Sequence, residues 1–331
     1  MKDINLGIIG TGLIVKEFLT DLASLDHLHL RAIVSTKRSF ETARKLAAEY
    51  GIEYALDNFE DLKGKGIDTL YIAVPNHLHF DYAKRALEAG YNVILEKPLA
   101  SSDHEAKILA DLARDRNLIL LEAVTTTAFD SFRRIRQALD EIGDIRIVFA
   151  NYSQYSRRYD AFVRGEILPV FDPAKAGGAL MDLNLYNLQL VCGLFGEPES
   201  VDYRARIERG IDTNGIALLQ YPGFTAICVA AKDCAGPCEF QIEGTGGCIS
   251  CQSAPNTMGK ITIRRRGQED EVFEEEYSAH RVVPEFRQFI RILREHDLQT
   301  AREKLDHSLI VSRVLTAARK KAGVVFPADQ Y

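Results

Sequence analysis

The sequence predicts an α/β protein of two domains: a doubly wound parallel sheet at the N-terminus, then an α+β domain with a large, mostly antiparallel, open-faced sheet. In residues 1–122, short apolar strands alternate with helices of about 12 residues, a pattern typical of parallel βαβ units. In residues 123–331, strand-like segments follow one another through tight turns with few helices between them. A chain of 331 residues is long enough for two cores.

The first domain is predicted to contain six strands joined by helices. One helix follows Gly12, a second lies between Ser39 and Gly51, and a third ends at Gly90, since glycine favours a helix C-terminus. Ser102 with Glu105 forms a capping box for a fourth helix. The predicted strands are 5–9, 29–35, 52–55, 69–74, 93–95 and 118–121.

The second domain is predicted from a change of pattern after residue 122. Its helices are expected near 130–142, 180–195, 284–295 and 304–322, and the C-terminal helix is a candidate to pack back on the first domain. Its strands are expected at 145–155, 201–208, 215–221, 224–231, 239–243 and 260–265.

Composition excludes several classes of partner. The formal charge of −6 provides no basic excess to offset phosphates, so neither nucleic acid nor an anionic membrane surface is expected. The sequence contains no apolar run of about 18 residues, so no transmembrane helix is predicted. The N-terminus leads directly into a strand without the features of a signal peptide, and we therefore expect a cytoplasmic protein.

Six cysteines raise the question of a metal site. Cys234, Cys238, Cys248 and Cys251 form two closely spaced pairs, as in some zinc sites. However, no histidine flanks them, and the surrounding sequence reads as sheet that needs no metal. We expect reduced thiols and no metal.

Segment 224–231 bears on assembly. It is apolar on both faces, and segment 215–221 is too, whereas a solvated sheet face should carry polar residues at alternate positions. Too few helices follow to cover both sides. The pattern predicts that the second face packs against another subunit, giving a homo-oligomer, with a homodimer as the simplest form.

The turn after the first strand predicts a dinucleotide site. Gly10-Thr11-Gly12 follows a strand and opens a helix, where backbone N–H groups can approach a pyrophosphate. Leu13 and Ile14, at the start of that helix, are assigned to the same site. Val15 stands where the third glycine of the fingerprint would be. The alternative is a plain tight turn.

The end of the second strand indicates which dinucleotide is bound. A carboxylate there would bind the ribose hydroxyls of NAD, but the residues are Ser35, Thr36, Lys37 and Arg38. Hydroxyls and cations suit the 2′-phosphate of NADP, so NADP is preferred over NAD. The alternative for Lys37 and Arg38 is solvated surface charge.

Glu96-Lys97-Pro98 ends the fifth strand. The carboxyl end of a parallel strand is where open α/β sheets bind ligands, and Pro98 restricts the backbone of Lys97. The alternative is a solvated charge pair. We assign Glu96 and Lys97 to the cofactor site, and with them a second set that follows the fourth strand: Pro75, Asn76 and His79.

These motifs together resemble the glucose–fructose oxidoreductase, inositol dehydrogenase and rhizopine-catabolism (Gfo/Idh/MocA) family. The resemblance covers nearly the whole chain. It rests on the order and spacing of the segments 7–12, 73–79, 96–98, 177–182, 242–247 and 285–289. It implies a Rossmann domain followed by an open-faced sheet domain, with Lys97 near the nicotinamide and the reacting carbon–oxygen bond.

The resemblance also implies a catalytic role for Asp182 and Tyr186. Asp182 matches the family pattern, Asn184 replaces a glycine, and Tyr186 stands where many members have histidine. The glucose–fructose oxidoreductase and dimeric dihydrodiol dehydrogenase branch looks similar, with tyrosine as the acid/base residue. Four residues apart on a helix, the two side chains would share one face. A nearby ammonium such as Lys97 would lower the pKa of a tyrosine. The alternatives are a core tyrosine and a capping carboxylate.

The predicted reaction is interconversion of a hydroxyl and a carbonyl on a sugar, polyol or cyclic diol. Tyr155, Arg157 and Tyr159, together with Asp182, are candidates to bind this substrate, although 155–159 could equally be an exposed loop. The alternative function is a regulatory protein that binds a dinucleotide without turnover.

Overall fold

The computed structural model describes residues 2–275 and 280–330, which form two compact units. The first unit contains residues 2–123 and 280–306, and the second contains residues 124–275 and 307–330. The division is therefore not a single cut in the sequence. The segment 280–306, which follows the whole second sheet in the chain, belongs to the first unit.

The first unit is built on a six-stranded parallel sheet, which confirms the predicted doubly wound fold. The strand order is β3-β2-β1-β4-β5-β6, with the reversal between β1 and β4 that creates a ligand crevice at the carboxyl ends of the strands. The strands are β1 Ile4–Ile9, β2 Leu28–Val34, β3 Tyr54–Leu56, β4 Thr69–Ile72, β5 Asn92–Glu96 and β6 Leu120–Ala123. The helices between them are α1 Leu13–Ala23, α2 Phe40–Tyr50, α3 His79–Glu88 and α4 Asp103–Asp115.

A helix from the end of the chain completes the core of this unit. The ring of Phe286, on that helix, lies 5.9 Å from the ring of Phe18 on α1 and 5.4 Å from the ring of Tyr71 on β4. All three side chains are buried. Burial of these rings stabilises the packing of this helix on the sheet, by a free energy of about 25 cal/mol per Å² of apolar area removed from water.

The second unit is built on an eight-stranded sheet of order β14-β13-β12-β11-β7-β10-β9-β8. All neighbouring strands are antiparallel except β7 and β10, so the prediction of a mostly antiparallel sheet is confirmed. The strands are β7 Ile145–Ser153, β8 Ser200–Glu208, β9 Ile211–Tyr221, β10 Phe224–Ala231, β11 Glu239–Gly244, β12 Gly247–Cys251, β13 Lys260–Arg265 and β14 Glu271–Glu274. The α-helices that follow β6 in residues 124–275 and 280–330 are α5 Asp130–Ala138, α6 Arg157–Val163, α7 Leu185–Phe195, α8 Val283–Glu295 and α9 Leu298–Lys321, of which α8 belongs to the first unit.

Three elements differ from the sequence prediction. Strands β12 and β14 and helix α6 were not predicted. Strand β12 begins within the run of turn glycines, β14 lies in a charged stretch, and α6 is only seven residues long. The periodic pattern of apolar and polar side chains is weak in each of these three elements. Each is stabilised by pairing or packing with the elements beside it.

The two faces of the second sheet differ in their surroundings. One face, with Val148, Ala217 and Cys228 among its residues, is packed into the core with α7. The other face is apolar at its centre but remains partly exposed: Ile147, Ile216 and Leu218 are 45%, 43% and 38% exposed. Among residues 2–275 and 280–330, no helix is both long enough and apolar enough to cross a membrane.

Candidate dinucleotide site and candidate catalytic centre

The turn between β1 and α1 contains two glycines with different structural roles. Gly10 has a φ of +118°, and a Cβ there would collide with the carbonyl oxygen of Ala73. Gly12 has an ordinary φ of −70°, and a Cβ there would meet no protein atom within 4 Å. Gly10 is thus required by the fold itself, whereas Gly12 keeps space open beside the helix N-terminus.

The N-terminus of α1 can receive an anion. No side chain caps it, and its first turn contains no acidic residue, so its backbone N–H groups and the positive end of its dipole are available to a phosphate. Val15 is fully buried in the core. The helix therefore packs on the sheet with a valine where the fingerprint has its third glycine.

A cleft of about 410 Å³ lies over this turn. Of the residues predicted for the cofactor, it is lined by Gly10, Thr11, Gly12, Ile14, Ser35, Thr36 and Pro75. The cleft is also lined by seven residues that were not assigned to the cofactor: Ile9, Val34, Ser39, Ala73, Val74, Leu78 and Tyr82. Four of them stand at the ends of the predicted strands 5–9, 29–35 and 69–74, and Ser39, Leu78 and Tyr82 follow those strands in the chain. This position is the only signal that could have found them.

The other residues predicted for the cofactor do not line this cleft: Leu13, Lys37, Arg38, Asn76, His79, Glu96 and Lys97. Lys37 and Arg38 are exposed in a short 3₁₀ turn, Lys37–Ser39, that directly follows the lining residue Thr36. The hydroxyl oxygens of Thr36 and Ser39 are 3.0 Å apart. The edge of the cleft at β2 is therefore formed by hydroxyls with two solvated cations beside them, and this turn contains no carboxylate.

The carboxyl end of β5 holds Glu96 and Lys97. The hydroxyl of Tyr71 donates a hydrogen bond of 2.5 Å to the Glu96 carboxylate, and burial raises the pKa of that carboxyl. The Lys97–Pro98 peptide bond is cis. The backbone N–H of Leu99 donates to the buried carboxylate of Glu122, at 2.8 Å. Buried groups thus hold the chain on both sides of Lys97.

His79 is a structural bridge in this unit. Its ring is completely buried, with Nδ1 2.7 Å from the carbonyl oxygen of Pro98 and Nε2 2.9 Å from that of Val74. Burial lowers its pKa to about 4, opposed by these two carbonyls. The structure therefore places His79 behind the loops that follow β4 and β5, where it joins them to each other, and not on the surface of the cleft.

Asp182 and Tyr186 lie on either side of a change in helix type. Leu180–Asn184 forms a π-helical turn, and α7 begins at Leu185 without a break. With about 4.4 residues in a π turn, four positions correspond to nearly a full rotation, so the two side chains still share one side. π-Helical turns inside α-helices are frequent at functional sites.

A buried carboxylate anchors the start of this helix. Asp212, on β9, accepts hydrogen bonds from the backbone N–H of Leu180 at 2.7 Å and from the hydroxyl of Tyr203 at 2.8 Å. Burial raises the pKa of the Asp212 carboxyl. Gly178 leaves room for it, since a Cβ there would collide with the carboxylate.

Two buried asparagines tie the same helix to β10. The amide of Asn184 donates to the carbonyl of Cys228 at 3.1 Å, and that of Asn187 donates to the carbonyl of Val229 at 2.9 Å. Asn187 also donates to the side-chain oxygen of Asn184 at 2.8 Å. Asn184, which replaces a glycine of the family pattern, is therefore part of the attachment of the helix to the sheet.

Lys232 is the most important residue that sequence reasoning missed here. It follows β10, is 4% exposed, and its ammonium forms an ion pair with the carboxylate of Asp182. A lysine directly after an apolar strand is a weak signal in the sequence, because it reads as a solvated strand end.

The predicted substrate residues occupy α6 and the segment before it. Tyr159 packs its ring 5.7 Å from that of Phe171, and the Phe171 ring centroid lies 5.8 Å from the ammonium of Lys232. This chain of contacts connects Tyr159 to the Asp182 region. The Tyr155 hydroxyl donates to Asp160 at 2.6 Å, and Arg157 is exposed at the first position of α6.

Within residues 2–275 and 280–330, no group of three or more histidine, cysteine, aspartate or glutamate side chains could hold a metal ion.

Comparison with known proteins places the chain in a family. Residues 4–124 match the Gfo/Idh/MocA model described as an oxidoreductase family with an NAD-binding Rossmann fold, and residues 132–250 match the Gfo/Idh/MocA C-terminal domain. The chain is 31% identical over 329 residues to the scyllo-inositol 2-dehydrogenase (NADP⁺) IolU of Bacillus subtilis, covering 99% of each. It is 28% identical to the trans-1,2-dihydrobenzene-1,2-diol dehydrogenase of Mus musculus, covering 98% of each.

A solved structure shows the same architecture. It is KijD10, a 3-ketoreductase from Actinomadura kijaniata in complex with TDP-benzene and NADP; the TM-score is 0.79 at 25% identity, over 98% of this chain and 99% of that one. The chain belongs to the Gfo/Idh/MocA oxidoreductase family. It is an NAD(P)-dependent oxidoreductase, and the resemblance inferred from its motifs is confirmed.

Proposed function

We propose that the protein interconverts a hydroxyl and a carbonyl on a sugar, polyol or cyclic diol, with NADP preferred over NAD. The observation that carries this proposal is the Asp182–Tyr186 pair, whose two residues lie four positions apart along one helix. Relatives that the chain matches over nearly their whole length are named as dehydrogenases of an inositol and of a diol. Lys97, at the carboxyl end of β5, supplies a cation at the ligand-binding edge of the other sheet.

The first unit fits a dinucleotide phosphate. The open space at Gly12 and the uncapped N-terminus of α1 would receive the pyrophosphate. Ser35 and Thr36, with Lys37 and Arg38 beside them, would hold the 2′-phosphate. When bound, the nicotinamide supplies the acceptor or donor of a hydride.

The chain's own residues handle the proton. The ammonium of Lys97 would polarise the substrate oxygen and favour its ionised form. Tyr186 would give or take the hydroxyl proton, and positioned general acid–base catalysis of this kind contributes about 10²–10⁴ in rate. Asp182 would orient the substrate or the ammonium. Glu96, held by Tyr71, positions the backbone that carries Lys97.

The proposal is tested by NADP-linked turnover with a panel of sugars, polyols and diols in both directions. Lys97→Ala and Tyr186→Phe should each lower kcat by about 10²-fold or more while the Kd for NADPH stays within a few-fold. Matched controls are Lys63→Ala, at an exposed lysine outside the predicted site, and Tyr91→Phe, at the opposite end of β5 from Lys97. Wild-type turnover by Lys97→Ala or Tyr186→Phe would refute the assigned roles. NADPH binding without turnover of any panel member would support a regulatory protein instead.

We also propose that a second copy of the chain covers the exposed face of the second sheet. Phe149, Ile227 and Leu218 stand side by side across three adjacent strands on this face. An apolar row at the centre of a large sheet face is typical of a subunit interface. Leu218→Glu should convert the oligomer to a monomer in light scattering at micromolar concentration, while Leu25→Glu in the first unit should not. A monomeric wild type would contradict the proposal.

A further inference from the structure

Lys232 is a buried lysine whose backbone is fixed on both sides. Its N–H donates to the carbonyl of Thr213 at 2.8 Å, and its own carbonyl accepts from the N–H of Ser156 at 2.9 Å. The first contact joins it to β9, and the second joins it to the segment that enters α6. The side chain therefore starts from a well-defined point and is 5% exposed.

The ammonium of Lys232 is directed at Asp182. The two form an ion pair, and the ring of Phe171 lies 5.8 Å from the ammonium. A buried ammonium has a large desolvation cost that only a close, well-oriented partner offsets. The Asp182 side chain is 30% exposed, so the carboxylate has one side toward the buried lysine and another toward solvent.

The other acidic groups around Lys232 already have partners. Asp212 accepts from Leu180 and Tyr203, and the charge of Lys232 contributes to lowering its pKa against the larger effect of burial. Asp233 accepts from the hydroxyl of Thr213 and the amide of Asn214, each at 2.7 Å. The other ionisable side chains on α7 are Tyr186 and the thiol of Cys192, whose pKa is raised by burial. Asp182 is thus the carboxylate with which Lys232 pairs directly.

We propose that Lys232 is a positioning residue of the reaction, whose buried ammonium holds the Asp182 carboxylate ionised and in one orientation beside Tyr186. Lys232 does not touch the substrate in this assignment and acts only through Asp182. The inference rests on the proposed function, because it assigns a task to Asp182 in turnover.

The test compares pH profiles of kcat/KM for wild type, Lys232→Met and Lys232→Arg. Lys232→Met should lower kcat by about 10–100-fold, since small misplacements of a reacting group have effects of this size. Loss of the ammonium raises the pKa of the Asp182 carboxyl. The acidic limb of the profile, where kcat/KM falls as pH is lowered, should therefore move to higher pH by about one unit or more. Lys232→Arg retains the charge and should restore the position of the limb. Lys260→Met, the same change at an exposed lysine of β13, should leave the profile unchanged.

A double variant separates this role from a merely structural one. If Lys232 acts through Asp182, Lys232→Met should cause no further loss of kcat in an Asp182→Asn background. The proposal would be overturned if the kcat losses of the two single variants multiply in the double variant. It would also be overturned if Lys232→Met lowers kcat/KM by the same factor at every pH. If Lys232→Met does not fold, Lys232→Gln, which keeps a hydrogen-bond donor without the charge, should show the same shift of the acidic limb; an unshifted limb would overturn it as well.

Failure of this inference can be told from failure of the proposed function. If Tyr186→Phe loses turnover while Lys232→Met keeps the wild-type kcat and acidic limb, the function stands and Lys232 has no positioning role. If Tyr186→Phe turns over like the wild type, or if no panel substrate is turned over, the proposed function fails and this role fails with it. The Kd of NADPH, measured by fluorescence, should be the same for all Lys232 variants.

Discussion

Two irregular turns, one in each unit, are held in place by different means. The turn after β1 depends on an absent side chain, because Gly10 has a positive φ and leaves room for the carbonyl of Ala73. The turn before the π-helical segment also needs a glycine, Gly178, but it depends in addition on a side chain that is present. There the carboxylate of Asp212, 32 residues further along the chain from Leu180, accepts the hydrogen bond of that residue's N–H.

The difference explains which site the sequence reveals. A turn that depends on glycine is specified by adjacent residues, so the candidate dinucleotide site can be recognised from Gly10-Thr11-Gly12. A turn that depends on buried polar side chains is assembled from distant strands. Asp212, Asn187 and Lys232 all contribute to the candidate catalytic helix, yet none belongs to a local motif. Four predictions test this comparison.

The largest effect is expected at the first turn. Gly10→Ala combines a strained φ with a collision against backbone and should lower the free energy of unfolding by about 3–5 kcal/mol. Gly12→Ala meets no protein atom, so it should change stability by only about 0.5 kcal/mol but weaken NADPH binding by tenfold or more. Urea denaturation and NADPH titration measure the two quantities. Equal destabilisation by both variants would remove the distinction between the glycines.

A comparable effect is expected at the second turn, but from loss of a side chain. Asp212→Ala leaves the N–H of Leu180 and the hydroxyl of Tyr203 buried without their acceptor and should cost about 2–4 kcal/mol. Asp212→Asn retains an acceptor oxygen and removes a buried charge, so its cost should be below about 1 kcal/mol. Chemical denaturation of both variants checks the pair. Asp212→Asn as damaging as Asp212→Ala would show that charge, not hydrogen bonding, anchors the turn.

The His79 bridge should make the first unit sensitive to acid. Its folded pKa of about 4 lies below the unfolded value of 6.5, so the unfolded state binds the proton first as pH falls. The stability it contributes is complete above pH 6.5 and is lost between about pH 6.5 and 4, by at most about 3 kcal/mol. The difference in unfolding free energy between wild type and His79→Leu should shrink over that window. A constant difference would mean that the two carbonyls fully offset burial, so that His79 has the same pKa in the folded and unfolded states.

The smallest effect is expected at the exposed cations of the cleft edge. Arg38→Asp should lower the preference for NADP over NAD by about tenfold, near 1.4 kcal/mol, because a solvated contact to phosphate is screened by water and salt. The ratio of the Kd values for NADPH and NADH measures it. Lys63→Asp is the matched control at an exposed lysine outside the cleft. An unchanged ratio in Arg38→Asp would make Arg38 ordinary surface charge.

Features that depend on adjacent residues could be predicted from the sequence, whereas features assembled from distant segments could not. The alternating strands and helices, the glycine turn and the order of motifs sufficed for the fold and the family. They did not show that His79 is enclosed by two carbonyls, because nothing near it in the sequence indicates that Val74 and Pro98 converge on its ring. Strand β12 was hidden for a similar reason, since its glycine-rich start reads as a turn until β11 and β13 pair with it.

The sequence by itself determined the parallel sheet and the glycine turn, because each depends on neighbours in the chain, and its resemblance to the family made Lys97, Asp182 and Tyr186 candidates. Only the tertiary structure decided which side chains support them. Lys232 beneath Asp182, Asp212 at the helix start and residues 280–306 in the first core come from contacts between distant segments. Such contacts are set by burial and by the pairing of buried polar groups, which leave no periodic trace in the sequence.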